Sequence, residues 1–194
     1  MARAAAELSW RHVVVTSVTR DDLPDGGAAH FASVVRALRR DSPGATVELL
    51  VPDFAGNVDA LRCVVDATPD ILAHNVETVP RLYPAVRMGA KYDRSLELLR
   101  RAAAMRPSLP LKSGIMAGLG ETEEEVTAVF RDLFAAGCRS ITVGQYLPPS
   151  RDHLPLSEYV SPERFDLFAE AARAVGFDRV LSGPLVRSSY YRAG

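Results

Sequence analysis

Apolar positions along this chain fall into two alternating periods, short β-branched runs and longer stretches spaced for one helix face. His12 to Val18 (H-V-V-V-T-S-V) is nearly unbroken, the pattern of a strand covered on both faces. From Gly27 to Arg40, Phe31, Val34, Val35 and Leu38 recur at helical spacing, with arginines where the helix dipole favours cations. Thr46 to Val51 predicts a second strand, and Val58, Leu61, Cys63, Val64 and Val65 a second helix. Asp70 to Val76 predicts the third strand. Glu77 to Tyr92 then runs polar and unusually long for a connection. Asp93 stands where it can cap a helix carrying Leu96, Leu99 and Ala103. Leu109 to Met116 predicts the fourth strand, and Thr122 with Glu125 forms a capping box for a helix bearing Val126, Val129, Phe130 and Leu133. Ser140 to Tyr146 predicts the fifth strand. Ser161-Pro162 opens a last long helix, and Arg179 to Ser182 is a short strand candidate.

This order implies an α/β fold, a parallel sheet with right-handed crossovers and helices outside. Periodicity leaves open whether the sheet closes, curls into a partial barrel or stays open. A single domain is expected over 1–194, with a tail from 183 to 194. Ala2 to Trp10 reads as the last turns of a helix with no strand before it, so a first strand is expected to be missing.

Composition narrows the function. With 23 Lys and Arg against 24 Asp and Glu, the net charge is −1, which argues against a nucleic-acid footprint or a polybasic membrane tail. No apolar run approaches the length of a bilayer span. Arg3 and Glu7 interrupt the opening segment, unlike a secretory signal. Two cysteines, Cys63 and Cys138, make no disulfide framework and point to a reducing, cytoplasmic setting.

In parallel α/β folds ligands gather at the carboxyl ends of strands. Those positions carry Thr16, Ser17, Arg20, Asp21 and Asp22; His74, Asn75, Glu77 and Thr78; Gly114 and the turn Gly118-Leu119-Gly120-Glu121; and Gln145, Tyr146, Arg151 and His153. Each has a plainer reading. The aspartates around Pro24 suit a turn, and a lone His74 is more often a satisfied core histidine. Lys112 stands inside an apolar strand, so it needs either a buried acid such as Glu77 or a ligand carboxylate. The glycine turn lacks a following Gly-Lys-Ser/Thr, and four glutamates crowd the helix start, so phosphate cradling is not expected.

Five stretches in register resemble the lipoyl synthase family of radical S-adenosylmethionine enzymes. They are V-V-V-T-S-V-T-R-D-D-L-P-D-G-G-A (13–28), H-N-V-E-T-V-P-R-L-Y (74–83), K-S-G-I-M-A-G-L-G-E-T (112–122), G-Q-Y-L-P-P-S-R-D-H-L-P (144–155) and S-G-P-L-V-R-S-S-Y (182–190). The resemblance implies a parallel (β/α) partial barrel of radical SAM type. It also implies insertion of two sulfur atoms into an octanoyl chain on a lysine of a lipoyl-domain or glycine-cleavage carrier protein. One 4Fe-4S cluster would cleave S-adenosylmethionine to a 5′-deoxyadenosyl radical, and an auxiliary 4Fe-4S cluster would donate the sulfur. Gly114 to Glu121 resembles the turn beside adenine, with Gly114, Gly118 and Glu121 at its fixed positions. Asn75 and Glu77 resemble the groups holding the ribose and methionyl end. Thr16 and Ser17 occupy the place that reads the methionyl amine, and Lys112 and Gln145 would complete the pocket. In Arg187-Ser188-Ser189-Tyr190, a serine is implied as ligand of the auxiliary cluster, Ser189 ahead of Ser188.

The chain departs from the family in its cysteines. Neither the Cys-x-x-x-Cys-x-x-Cys of the radical-generating cluster nor the trio of the auxiliary cluster is in this sequence. It reads as the last two thirds of such an enzyme, truncated and inactive by itself. The tail also differs, with Tyr191-Arg192 after Arg-Ser-Ser-Tyr. Two other readings stand beside this one. One is a cluster-free remnant that holds S-adenosylmethionine or the carrier without turnover. The other is an unrelated α/β-barrel enzyme using Lys112 or His74 as acid or base.

Overall fold

In a computed structural model, describing residues 1–190, six parallel strands line up in chain order. They are β1 (His12–Thr16), β2 (Thr46–Leu50), β3 (Ile71–Ala73), β4 (Leu111–Ala117), β5 (Ser140–Gln145) and β6 (Arg179–Gly183). Seven helices accompany them: α1 (Ala2–Glu7), α2 (Ala28–Asp41), α3 (Val58–Asp66), α4 (Tyr83–Val86), α5 (Tyr92–Met105), α6 (Glu123–Ala135) and α7 (Pro162–Val175). The order β1-β2-β3-β4-β5-β6 leaves β1 and β6 as edges, so the sheet is an unclosed partial barrel.

Strand alternation sorts the side chains into two very different faces. Val13, Val15, Val47, Leu49, Leu72, Leu111, Ile115, Ile141 and Val143 are buried in one core with Phe31, Leu38, Val64, Leu99, Phe130, Leu133, Phe165 and Phe168 of the helices. On the other face, register places Lys112, Gly114 and Met116 of β4 beside Ser140, Thr142 and Gly144 of β5. Leu181 and Gly183 of β6 continue the row. Small and polar residues therefore line a trough that they do not fill. β1 shows the same division, its burial alternating along His12–Thr16, where the apolar run predicted cover on both faces.

The capping box Thr122/Glu125 and the Ser161 cap are present as expected. Asp93 is not the cap of α5. Lys91 takes that position without a side-chain bond, and Asp93 lies in the first turn, where its charge suits the dipole. The strand predicted over 70–76 is much shorter, and the polar segment after it holds a 3-10 turn, Pro80–Leu82, as well as α4. The reason is a long-range pairing. At Glu77 the backbone turns left-handed (φ 65°) and rejoins β4, its N–H donating to Gly114 O at 3.0 Å and its C=O accepting from Met116 N at 2.8 Å.

His74 takes the plainer of its two readings. It is buried, Nδ1–H donates to Val51 O at 2.8 Å, and Nε2 lies 2.9 Å from Ser95 Oγ. The carbonyl can only accept, so the proton sits on Nδ1 and the Ser95 hydroxyl donates to Nε2. Burial lowers its pKa from 6.5 to about 4. The unfolded chain then takes up the proton first, so stability present above about pH 6.5 is lost as pH falls toward 4. The loss should reach about 3 kcal/mol in urea unfolding, and His74→Gln should flatten that part of the profile. An unchanged slope in the variant would assign the acid sensitivity to carboxylates instead.

Candidate functional site

At the carboxyl ends of β3, β4 and β5 the trough deepens into a pocket of about 190 Å³. Asn75 and Glu77, Gly114 and Met116, Thr142 and Gly144, and Val186 to Ser188 of the tail contribute its walls. Asn75 Nδ2 donates to Glu77 Oε1 at 3.0 Å. Burial raises the Glu77 carboxyl above its ordinary value, against the Asn75 hydrogen bond and the positive charge of Arg87. Gly114 makes the approach possible, because a Cβ there would sit 2.9 Å from Asn75 Oδ1 and 2.8 Å from Thr142 Oγ1. Behind the wall, Arg87 Nη1 donates to Asn75 O and Tyr83 Oη, both at 3.1 Å, which locks the segment carrying Asn75 and Glu77. A left-handed non-glycine residue held this way marks strain kept at a site.

The remaining expected residues take other places. Gln145 borders the pocket, but its amide is spent on backbone. Nε2 lies 3.1 Å from each of the carbonyls of Ala117, Tyr146 and Glu158, which share its two protons, and Oε1 accepts from Val160 N at 2.9 Å. It staples the 146–160 loop. Glu121 is buried and accepts from Gly118 N at 2.6 Å and Leu119 N at 2.9 Å, so it builds the turn. Gly118 adopts φ 98° in that turn, outside the pocket lining. Thr16 and Ser17 are exposed at the end of β1 and do not line the pocket.

Lys112 lies toward the amino ends, away from Glu77. Its Nζ donates to Glu48 Oε1 at 2.7 Å, and Glu48 Oε2 sits 3.2 Å from His12 Nε2. The partner of Lys112 is thus Glu48, correcting the expectation of Glu77. The sequence signal for this partner is the acid inside T-V-E-L-L-V, as anomalous in an apolar strand as the lysine. A second cavity of about 330 Å³ adjoins this pair, bounded by Ser140, Thr142, Arg179 and Tyr190. Ser188 faces the Asn75–Glu77 pocket, whereas Ser189 lines a cleft with His12 and β6. Tyr191 and Arg192 lie outside the described residues.

Donor chemistry decides which cofactors fit. A half-buried carboxyl beside one side-chain amide donor, over strands carrying Gly114 and Gly144, suits a ligand bearing an ammonium and hydroxyls. An iron–sulfur cluster is not matched. Among the described residues no group of three or more His, Cys, Asp or Glu can hold a metal. Cys63 is half-buried on α3, and Cys138 is buried at the foot of β5, its thiol pushed up to about 12 by burial.

An open parallel barrel with its polar residues at the carboxyl mouth defines a class, and comparison with known proteins places it. The sequence model of the Radical SAM superfamily matches residues 1–133. The lipoyl synthase of Caldanaerobacter subterraneus subsp. tengcongensis is 58% identical over 191 residues, covering 98% of this chain and 67% of that relative. The lipoyl synthase of Alkaliphilus metalliredigens is 55% identical over 193 residues, covering 100% and 67%. That of Rubrobacter xylanophilus is 53% identical over 191 residues, covering 98% and 60%. The chain thus spans 60% to 67% of the length of these relatives. Among solved structures, methylornithine synthase superposes with a TM-score of 0.68 at 15% identity, over 98% of this chain and 64% of its own. A domain of pyruvate-formate lyase-activating enzyme from Bacteroides vulgatus gives 0.58 at 13% identity, over 87% and 98%. These two show the fold alone. The chain belongs to the radical SAM superfamily and, within it, to the lipoyl synthase family.

Proposed function

We propose that this polypeptide carries the S-adenosylmethionine pocket of a lipoyl synthase and by itself does not turn over. The observation that carries the reading is a pairing: a built pocket at Asn75, Glu77 and Gly114, and only two cysteines, neither placed as a cluster ligand. Asn75 and Glu77 would hold the ribose hydroxyls and the methionyl end, and Gly114 lets the Asn75 side chain pack against β4. The bound sulfonium nucleotide supplies hydrogen abstraction from unactivated carbon once an electron reaches it. A cluster supplying that electron would need about three thiolates, which these residues do not provide. The proposal extends to an octanoylated lipoyl-domain or glycine-cleavage carrier as partner, and to a cytoplasmic setting. For the setting, the supporting observation is that no described helix is long and apolar enough to cross a membrane. Ser189, or its neighbour Ser188, remains the proposed ligand for an auxiliary cluster.

The test is direct. Titration calorimetry of the chain with S-adenosylmethionine should show saturable binding, weakened at least ~10-fold by Asn75→Leu, the equivalent of about 1.4 kcal/mol. Anaerobic reconstitution with iron and sulfide should leave no cluster absorbance, and no 5′-deoxyadenosine should form with a strong reductant. Binding without turnover supports the proposal. No heat at millimolar ligand, or an intact cluster on this chain, would overturn it.

A further inference from the structure

The tail beyond β6 does not hang free. Residues 184–190 return through the trough as a strap built from two tight turns, with Val186 N–H on Gly183 O at 3.1 Å and Tyr190 N–H on Arg187 O at 2.9 Å. Near the mouth, the Val186 carbonyl fills the space that a Cβ on Gly144 would occupy. At the other end, Lys112 Nζ donates to Tyr190 O at 3.3 Å. Ser188 and Ser189 lie between these two contacts.

We propose that Lys112 is a positioning residue for this strap, and that the Glu48–Lys112 pair is its anchor rather than part of the ligand pocket. The physical argument begins with burial. Lys112 is 6% exposed and Glu48 is fully buried, so the ammonium must spend its donors inside the protein. Glu48 Oε1 accepts one, and the Tyr190 carbonyl accepts a second. A charge-assisted bond to a main-chain carbonyl fixes backbone, not a rotatable side chain. With Gly144 admitting Val186 at the mouth, the strap is held at two points on neighbouring strands, and both serines are held in register with the barrel. Ser188 is thereby set against the Asn75–Glu77 pocket. The value of that placement for turnover rests on the lipoyl synthase reading. The measurements below need neither cofactor nor carrier, so failure of one is separable from failure of the other.

The test is hydrogen exchange in the 184–190 peptide of the whole chain. In the paired variant Glu48→Leu/Lys112→Met, which removes both charges together, exchange at the strap should rise ~10-fold or more while β4 and β5 amides stay as slow as in the parent. Lys112→Arg should restore slow strap exchange. Equal acceleration of strap and strands would mean a general loss of packing and overturn the proposal, as would a strap unchanged in the folded variant. A second measurement uses the native pair. Lys91 and Lys112 are the only lysines in the sequence, and Lys91 is exposed, so it serves as internal reference for reductive methylation. In the full-length Gly144→Ala variant, whose added Cβ displaces the Val186 carbonyl, methylation of Lys112 relative to Lys91 should rise ~10-fold while β4 and β5 amides stay as slow as in the parent. An unchanged ratio would overturn the proposal even if the double variant does not fold.

Discussion

Replacing Glu48 alone by leucine is expected to lower the unfolding free energy by about 3–5 kcal/mol. The loss comes less from the missing attraction than from what remains. Lys112, nearly sealed from water, is left with only the Tyr190 carbonyl as partner. The double replacement Glu48→Leu/Lys112→Met removes that stranded charge and should lie within about 1 kcal/mol of the parent, since a buried ion pair recovers little beyond its desolvation cost. Urea unfolding of the three chains measures both quantities. A single variant as stable as the parent would mean that water reaches the ammonium.

Gly118→Ala is expected to cost about 4 kcal/mol, from a strained backbone and an overfilled space together. Gly118 adopts φ 98°, and its missing Cβ leaves the place where the Gln145 amide and the Glu158 carbonyl pack. Gly118 O also accepts from Ser157 N–H at 3.0 Å, so the substitution pushes away the loop that Gln145 staples. Gly89 provides the comparison. It too has a left-handed φ of 83°, yet nothing lies within 4 Å of an added Cβ, so Gly89→Ala should cost only about 1 kcal/mol. Equal losses at the two positions in thermal unfolding would leave backbone strain as the whole effect.

Much of the scaffold was legible because periodicity is a local signal. The β-branched runs at 12–16 and 46–50, the capping box at Thr122 and the Ser161 cap each depend on neighbours a few residues away. Boundaries failed where long-range bonds set them. β3 stops at Ala73 because the left-handed residue Glu77 pairs with β4, almost forty residues downstream in sequence. The site divides in the same way. Asn75, Glu77 and Gly114 could be placed at strand ends from the sequence, and they do meet in one pocket. Lys112 and Gln145 sit on equally suggestive positions, yet one is held by Glu48 and the other by the backbone of the following loop.

The sequence by itself determined the order of strands and helices and the family, since each is written in residue types and short spacings. Only the tertiary structure decided which polar groups remain available to a ligand and which are already consumed. Partnership between Glu48 and Lys112, or between Gly144 and Val186, depends on strand register and chain return, which bring together residues far apart in sequence.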